Sequence, residues 1–249
     1  MTSEGSRKVS FEISKTTVGV GIILLALGYF IGNTLPIGSY FQSNPQYATI
    51  TNTVGSSDLS SKKVSASVNF DIPSYAKFQG SNSAKINLVE FGDYQCPFCE
   101  RFFQQTEPHL KKDYIDAGKT KFYFLDFIIV GQDSFTLAQG AWCADEQGKY
   151  YEYHDYVYSN QGQENSGWGT PDKVKAFAKN IDELDVQKFS DCLDSKKYVA
   201  RAQQLSQLGQ SLSVTGTPTL FVGNAETGYI KITGAQPYSV YQEVIDSLH

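Results

Sequence analysis

Apolar residues are distributed along the chain in a pattern that predicts an α/β domain interrupted by a long helical segment. Four short runs rich in apolar, β-branched and aromatic residues predict strands at residues 86–91, 121–130, 219–222 and 229–233. Alternating apolar positions at residues 64–70 predict one more short strand before them. From about residue 134 to 212 the apolar positions instead follow helical spacing, with helices at 150–158, 171–179, 186–193 and 198–212. A last helix is predicted to run to Leu248.

The N-terminal part of the chain carries one continuous apolar segment. Residues 16–32 contain no charged side chain, and the run continues more loosely through residue 37, which is long enough to cross a bilayer as a helix. Basic residues precede the segment and no charged residue follows it before Asp58, an asymmetry that predicts a cytoplasmic N-terminus. Residues 16–37 are therefore predicted to be an uncleaved transmembrane anchor after a cytoplasmic tail at residues 1–15. A cleaved secretory signal is the alternative.

The chain after this segment divides into a linker and a folded domain. Residues 38–63 are rich in Ser, Asn, Gln, Thr and Gly, a composition typical of a flexible linker. Residues 64–249 hold the predicted strands and helices. This domain is expected to lie outside the cytoplasm.

The charge balance and the composition exclude several classes of protein. The chain has 21 basic and 26 acidic residues and a net charge of −5, which argues against a nucleic-acid partner. Its hydrophobic content of 41% and aromatic content of 14% are too high for a wholly disordered chain.

Two of the four cysteines form a Cys-x-x-Cys motif, Cys96-Pro97-Phe98-Cys99, shortly after the first predicted buried strand. A helix is predicted after the motif, over residues 100–114. The first cysteine would then lie at the positive end of the helix dipole, where a thiolate is stabilised. Pro97 fits the first helical turn because no backbone donor is needed there. A plain disulfide and half of a zinc site are the alternatives, but no metal site is predicted, since the other cysteines and the histidines do not cluster in the sequence.

Two features elsewhere in the sequence favour redox chemistry over these alternatives. Glu90 lies inside the apolar run that precedes the motif, and a buried carboxyl there would have a raised pKa and could exchange protons with the inner thiol. Thr217 and Pro218 precede an apolar strand, a position that favours a cis proline beside a redox site. An exported location also allows disulfides to persist.

Three motifs stand in order along the chain: VEFGDYQCPFC, GAWCADEQGKYYEYHDYVY and VTGTPTLFV. Together they resemble the DsbA-like branch of the thioredoxin superfamily, particularly its membrane-anchored members, from about residue 64 to the end. The resemblance implies an α/β thioredoxin fold with an inserted helical subdomain at about residues 134–212. It also implies dithiol–disulfide exchange with exported proteins, and no cofactor is expected.

The resemblance further implies roles for individual residues. Cys96 would be the exposed nucleophile and Cys99 the resolving cysteine. Pro218 would be the cis proline, and Thr217 before it would contact substrate. Glu90 matches the buried acid of the family.

The dipeptide between the two cysteines departs from the family in one respect. The most strongly oxidising members have His where Phe98 stands, so an imidazole that could stabilise the thiolate is absent. Pro97 and Phe98 are predicted to contact substrate.

The remaining cysteines, Cys143 and Cys192, both fall within the helical segment. A structural disulfide between them is the favoured interpretation, and free buried thiols or a second redox pair are the alternatives. His154 is expected to satisfy a local hydrogen bond rather than to act as a catalytic base.

The combined prediction is a thiol–disulfide oxidoreductase held at the cell membrane by one helix, acting as a dithiol oxidase outside the cytoplasm. Its expected partners are exported proteins with cysteines and a membrane redox partner that reoxidises or reduces the active site. A reductase or an isomerase is the alternative with the same chemistry. An anchored binding or chaperone-like domain with a purely structural disulfide is the alternative from another class.

Overall fold

The structure is a computed structural model that describes residues 67–248. The predicted tail at 1–15, the anchor at 16–37 and the linker at 38–63 lie outside the described residues. Among the helices of residues 67–248, none combines the length and the apolar character that a membrane span requires.

A five-stranded mixed sheet forms the centre of the domain. Its strands are β1 (Phe78–Gly80), β2 (Ile86–Gly92), β3 (Thr120–Asp126), β4 (Thr219–Asn224) and β5 (Gly228–Thr233). They lie in the order β1-β3-β2-β4-β5, with β2 and β3 parallel and the other neighbours antiparallel. Neighbouring residues Leu88 and Val89, which point to opposite faces of β2, are both fully buried. The central strand is therefore covered on both faces, as its nearly continuous apolar sequence predicted.

The edges of the sheet differ from the sequence prediction. The prediction of a strand at residues 64–70 is wrong for the part that the structure describes. There Val68 makes only an isolated bridge to Tyr229. The short edge strand β1 was not predicted, since three residues are too few to show an alternating pattern. The apolar run predicted as a strand to residue 130 leaves the sheet after Asp126.

Five helices follow β3 and precede β4, in the place of the predicted helical segment. They are α3 (Gln132–Asp145), α4 (Tyr150–Ser159), α5 (Pro171–Ala178), α6 (Val186–Ser195) and α7 (Val199–Ser211), and α8 (Tyr238–Ser247) follows β5. Helix α3 is buried along most of its length, as expected for a helix that is apolar on most faces. The indole of Trp142 in α3 donates a hydrogen bond of 2.8 Å to the carboxylate of Asp126 at the end of β3.

A disulfide joins Cys143 in α3 to Cys192 in α6, across 49 positions of the chain. The bridge ties together two helices of the inserted segment. It thus lies in the helical part of the domain rather than in the central sheet.

The helix predicted at residues 100–114 is interrupted in the structure. It is divided into α1 (Pro97–Gln105), α2 (Glu107–Leu110) and a π-helical turn at Lys111–Ile115. Pro108 supplies no N–H for a continuous helix, and the Thr106 hydroxyl between α1 and α2 donates a hydrogen bond to the Gln236 carbonyl.

Candidate active site

The Cys-x-x-Cys motif lies where the chain leaves the C-terminal end of β2 and begins α1. Cys96 is the N-cap residue of α1 and Pro97 occupies the first turn. The Cys96 carbonyl accepts hydrogen bonds from the backbone N–H groups of Cys99 and Glu100. The Cys96 sulfur therefore lies at the positive end of the helix, where unpaired N–H groups favour an anion.

The residues of the motif differ widely in their exposure to solvent. Cys96 is 6% exposed and Cys99 is 1% exposed, whereas the Phe98 side chain between them is 54% exposed. The expectation of an exposed Cys96 is thus wrong, because the loop before β4 lies against it. The Cys96 thiol donates a hydrogen bond of 3.4 Å to the Thr217 carbonyl of that loop.

The environment of Cys96 favours its thiolate. A hydrogen bond from the Cys99 thiol, helped by the Thr217 hydroxyl and two backbone N–H groups, lowers the pKa of Cys96 to about 6 even though burial opposes the shift. The Thr217 hydroxyl has no other hydrogen-bond partner among the described residues. It can therefore turn to the sulfur when the thiol loses its proton and its bond to the Thr217 carbonyl.

Cys99 has the opposite character. Burial raises the pKa of Cys99 well above its usual value, and its hydrogen bond to Cys96 and the nearby Glu90 carboxyl add to the increase. Because a thiolate is the reactive form of cysteine, the two sulfurs are chemically unequal. Cys96 is suited to nucleophilic attack, and Cys99 keeps its proton.

Glu90 of β2 is buried beside this pair. The side chain is 2% exposed, and one of its carboxyl oxygens has no hydrogen-bond partner among residues 67–248. Burial first, and then the Glu107 and Cys96 charges, raise the pKa of Glu90 well above its usual range, although a hydrogen bond with Cys99 opposes this. The Glu90 carboxyl thus lies beside the inner sulfur, in surroundings that favour its protonated form.

Glu90→Gln is expected to slow disulfide exchange about tenfold, because an amide cannot give a proton to the Cys99 thiolate. The variant should also be more stable than the wild type at neutral pH. The folded wild type keeps the Glu90 proton to a higher pH than the unfolded chain does, so its stability falls as pH rises from the ordinary pKa of Glu towards the raised one. Urea unfolding at several pH values should show a higher free energy of unfolding for the variant than for the wild type at neutral pH. In acid the two should be equal.

Glu226→Gln is the matched control, since Glu226 is an exposed carboxylate in the turn between β4 and β5, at the end of β4 away from the motif. Its exchange rate and its stability should equal those of the wild type at every pH. An unchanged exchange rate in Glu90→Gln would remove proton transfer from the role of this residue.

Strand pairing brings Thr217 and Pro218 to the motif. Phe91 of β2 lies opposite Thr219 of β4, so the loop before β4 faces the residues that follow β2. The Thr219 hydroxyl donates a hydrogen bond of 2.7 Å to the Gly216 carbonyl and closes this loop. The peptide bond between Thr217 and Pro218 is cis.

Thr217→Val is expected to raise the pKa of Cys96, because valine keeps the shape of the side chain and removes its hydroxyl. A hydrogen bond to a charged group contributes about 1.5–3 kcal/mol, so the thiolate fraction in mild acid should fall about tenfold or more. The rate of alkylation of Cys96 as a function of pH measures the change. Thr215→Val, an exposed position in the same loop, should leave the profile unchanged, and equal profiles in both variants would contradict the assignment.

The structure adds Asp93 to the site, a residue to which the sequence analysis assigned no role. One carboxylate oxygen of Asp93 accepts hydrogen bonds from the Gln95 N–H and the Ser134 hydroxyl. The other accepts from the N–H groups of Ile129 and Val130. These bonds hold the loop before Cys96 and explain why the chain leaves the sheet after β3.

Gln161 is a second residue that sequence reasoning missed. Its amide donates hydrogen bonds to the carbonyls of Tyr94 and Cys96, at 2.8 and 3.1 Å. No local sequence pattern indicates this contact, because it joins positions about 65 residues apart. Gln161, which belongs to the helical segment, thereby holds the backbone of the motif in place.

His154 lies in α4, within the inserted segment. It is fully buried, and its Nδ1 lies 2.9 Å from a carboxylate oxygen of Asp155. The local hydrogen bond that the sequence predicted for this residue is thus present.

A family model and several known proteins are similar to this chain. The model of a family described as Thioredoxin matches residues 74–247. The chain is 33% identical over 146 residues to the "Probable disulfide bond formation protein D" of Bacillus cereus, covering 57% of this chain and 68% of that protein. It is 28% identical over 147 residues to the "Disulfide bond formation protein D" of Bacillus subtilis, covering 58% and 66%.

Solved structures with the same fold include oxidised BdbD from Bacillus subtilis. That structure has a TM-score of 0.62 and 26% sequence identity, over 68% of this chain and 90% of that one. DsbA from Chlamydia trachomatis also has a TM-score of 0.62, with 21% identity over 72% of this chain and 93% of that one.

Proposed function

Since this chain belongs to the thioredoxin family and is a DsbA-like thiol–disulfide oxidoreductase, we propose that it oxidises pairs of cysteines in exported proteins through Cys96 and Cys99. The observation that supports this assignment most directly is the inequality of the two sulfurs. Cys96, at the start of α1, has a pKa lowered to about 6, whereas Cys99 is buried with a raised pKa.

The proposed reaction begins with the Cys96–Cys99 disulfide. A substrate thiolate attacks the Cys96 sulfur, the bond to Cys99 breaks, and the Cys99 thiolate takes up a proton, for which Glu90 is the nearby source. A second substrate thiolate then attacks the substrate sulfur of the mixed disulfide and releases the Cys96 thiolate. Two electrons pass from the substrate, which gains a disulfide, to the enzyme, which is left as a dithiol.

The direction of exchange follows from the stability of the reduced form. A stabilised Cys96 thiolate makes the reduced enzyme more favourable, so its disulfide is a better oxidant. Phe98 contributes no imidazole to this stabilisation. We therefore place the enzyme among the oxidases, but below the most strongly oxidising members of the family.

The reduction potential tests this direction. The protein is equilibrated in glutathione buffers of graded ratio, and the oxidised fraction is counted after alkylation. We expect a potential more positive than about −200 mV, in the range of oxidising members of the superfamily. A value near −270 mV, which is typical of thioredoxin, would make the protein a reductase. A Cys96–Cys99 pair that does not equilibrate at all would indicate a purely structural disulfide.

The exposed residues of the motif are proposed to meet the substrate. Phe98 presents an apolar ring to solvent, and the Arg101 guanidinium lies 4.9 Å from the centre of that ring. Pro97 is exposed beside it. Together with the Thr217 backbone, these groups can contact an extended segment of substrate as its sulfur approaches Cys96.

Location is the second part of the proposal. The apolar segment at 16–37 would anchor the protein in the cell membrane, with residues 1–15 in the cytoplasm and the catalytic domain on the outer side beyond the linker at 38–63. The uncharged run and the basic flank before it support this arrangement. A membrane redox partner would then restore the Cys96–Cys99 disulfide after each cycle.

Protease added to intact cells with a permeable envelope tests the topology. We expect digestion or release of the domain, because it lies outside the cytoplasm. Full protection of residues 64–249 would contradict the proposed location.

A further inference from the structure

Glu107, His154 and Asp155 form a cluster that the redox reaction does not use. Glu107 begins α2, and the other two residues are neighbours in α4. One possible ligand atom from each residue lies within 4.8 Å of the others. The sequence predicted no metal site because its histidines are isolated, but the fold brings one of them to two carboxylates.

Two of these side chains contain buried polar atoms that the protein leaves unpaired. Glu107 is 5% exposed and His154 is 0% exposed, yet Glu107 Oε2 and His154 Nε2 have no hydrogen-bond partner among the described residues. Burying such groups without a partner is costly. A cation bound by Glu107 Oε2 would remove that cost for the carboxyl group.

The cluster is accessible from a cavity of about 310 Å³. Glu107 and Asp155 line this cavity together with Phe103, Gln104, Pro108 and Lys111. Asp155 is about half exposed, so the cluster has a path for entry from solvent. A small ion could reach the carboxylates without unfolding of the domain.

The histidine ring is held in place by its surroundings. Its Nδ1 lies 2.9 Å from Asp155, and the rings of Phe124 and Tyr158 lie 4.8 and 4.9 Å from it, centre to centre. Close packing that fixes an imidazole is a regular feature of histidine metal sites, and Nδ1 is the ring nitrogen placed to share an ion with Asp155.

The geometry points to a binding site for one Zn²⁺ ion, and we propose that Glu107, His154 and Asp155 are its protein ligands. One imidazole nitrogen with two carboxylate oxygens suits zinc, which takes both donor types and fills a remaining position with water. Calcium and magnesium prefer sites made only of oxygen. The site shares no residue with the Cys96–Cys99 pair, although the charge of Glu107 acts on Glu90 beside that pair.

The lysine beside the site is engaged with other groups. The Lys111 ammonium lines the same cavity, but it is bonded to Gln79 at 3.2 Å and paired with Asp116 at 3.5 Å. Two carboxyl groups thus remain to face a bound cation, and the lysine is already engaged elsewhere.

A titration with ZnCl₂ in competition with a chromogenic chelator tests the site. Full-length protein is used with Cys96 and Cys99 oxidised, so that no free thiol of this pair binds zinc. We expect saturation at one equivalent per chain. Glu107→Gln and Asp155→Asn should each weaken binding at least about tenfold, as loss of a ligand group requires.

Glu152→Gln is the matched control, because Glu152 is an exposed carboxylate of the same helix. Its affinity for Zn²⁺ should equal that of the wild type. Circular dichroism checks the fold of each variant. Because Asp155 is half exposed, Asp155→Asn is expected to fold, and it still tests the site if Glu107→Gln does not fold.

Three results would overturn the proposal: no stoichiometric binding by the wild type, equal affinity in wild type, Glu107→Gln and Asp155→Asn, or sulfur neighbours of zinc in X-ray absorption spectra. Nitrogen and oxygen neighbours alone would support it. None of these measurements depends on exchange activity, so the proposed zinc site can be disproved without disproving the proposed redox function, and the reverse.

Discussion

Cys99→Ala is expected to accumulate a mixed disulfide between Cys96 and a substrate cysteine. Cys96 carries the lowered pKa at the start of α1, whereas Cys99 lies beneath it with a raised one, so the outer sulfur receives the substrate. Without Cys99 no thiol of the motif remains to resolve the adduct. Net exchange activity should fall to background in this variant and in Cys96→Ala, because each removes half of the redox pair.

Mass spectrometry of the adducts distinguishes the two sulfurs. Cys99→Ala should carry the adduct on Cys96, and Cys96→Ala should carry almost none. The pKa of Cys96 should also rise above its wild-type value of about 6 in Cys99→Ala, since the hydrogen bond from Cys99 is the largest cause of its lowering. Equal trapping in both variants, or trapping only in Cys96→Ala, would reverse the assignment of the two roles.

Replacing Cys143 and Cys192 together by Ala should destabilise the domain by up to about 4 kcal/mol. The bridge closes a loop across 49 positions, and the entropy that such a loop removes from the unfolded chain has this magnitude in the chain-entropy model. For a domain of this size the melting temperature should fall by about 10 °C. Thermal unfolding is best measured in a Cys96→Ala, Cys99→Ala background, so that only the structural bridge differs.

Exchange activity provides the second test of this bridge. Cys143→Ala with Cys192→Ala, made in the otherwise wild-type chain, should retain exchange at temperatures where it is folded, because the bridge joins α3 to α6 within the helical segment. Loss of exchange in a folded variant would instead identify a second redox pair.

Local patterns predicted the parts of the fold that depend on neighbouring residues. The buried strand before the motif, the start of α1 and the inserted helices follow from apolar spacing, and the structure places each within a few residues of its prediction. The position of Glu90 followed in the same way, because it lies inside the apolar run. Such signals are carried by segments of 6 to 15 residues, as elementary secondary structure requires.

Contacts between distant segments do not follow from local patterns, and the position of Thr217 beside the motif was expected from the cis-proline position and the family resemblance. The bond between Cys96 and Thr217 joins positions 121 residues apart and depends on the register of β4 against β2. That register brings the loop over Cys96 and buries the sulfur expected to be exposed. The meeting of Glu107 with His154 likewise depends on how α2 lies against α4, which neither helix encodes alone.

The hydrogen bonds around Asp93 bear on whether the inserted helices could be removed without disturbing the catalytic loop. Ser134 of α3 donates to Asp93, and Gln161, which follows α4, donates to the Cys96 carbonyl. Both donors belong to the insertion, yet both hold the catalytic loop. A minimal enzyme made by excising these helices would lose two of the supports of its motif, so ancestral or designed versions without the insertion must stabilise that loop with other donors.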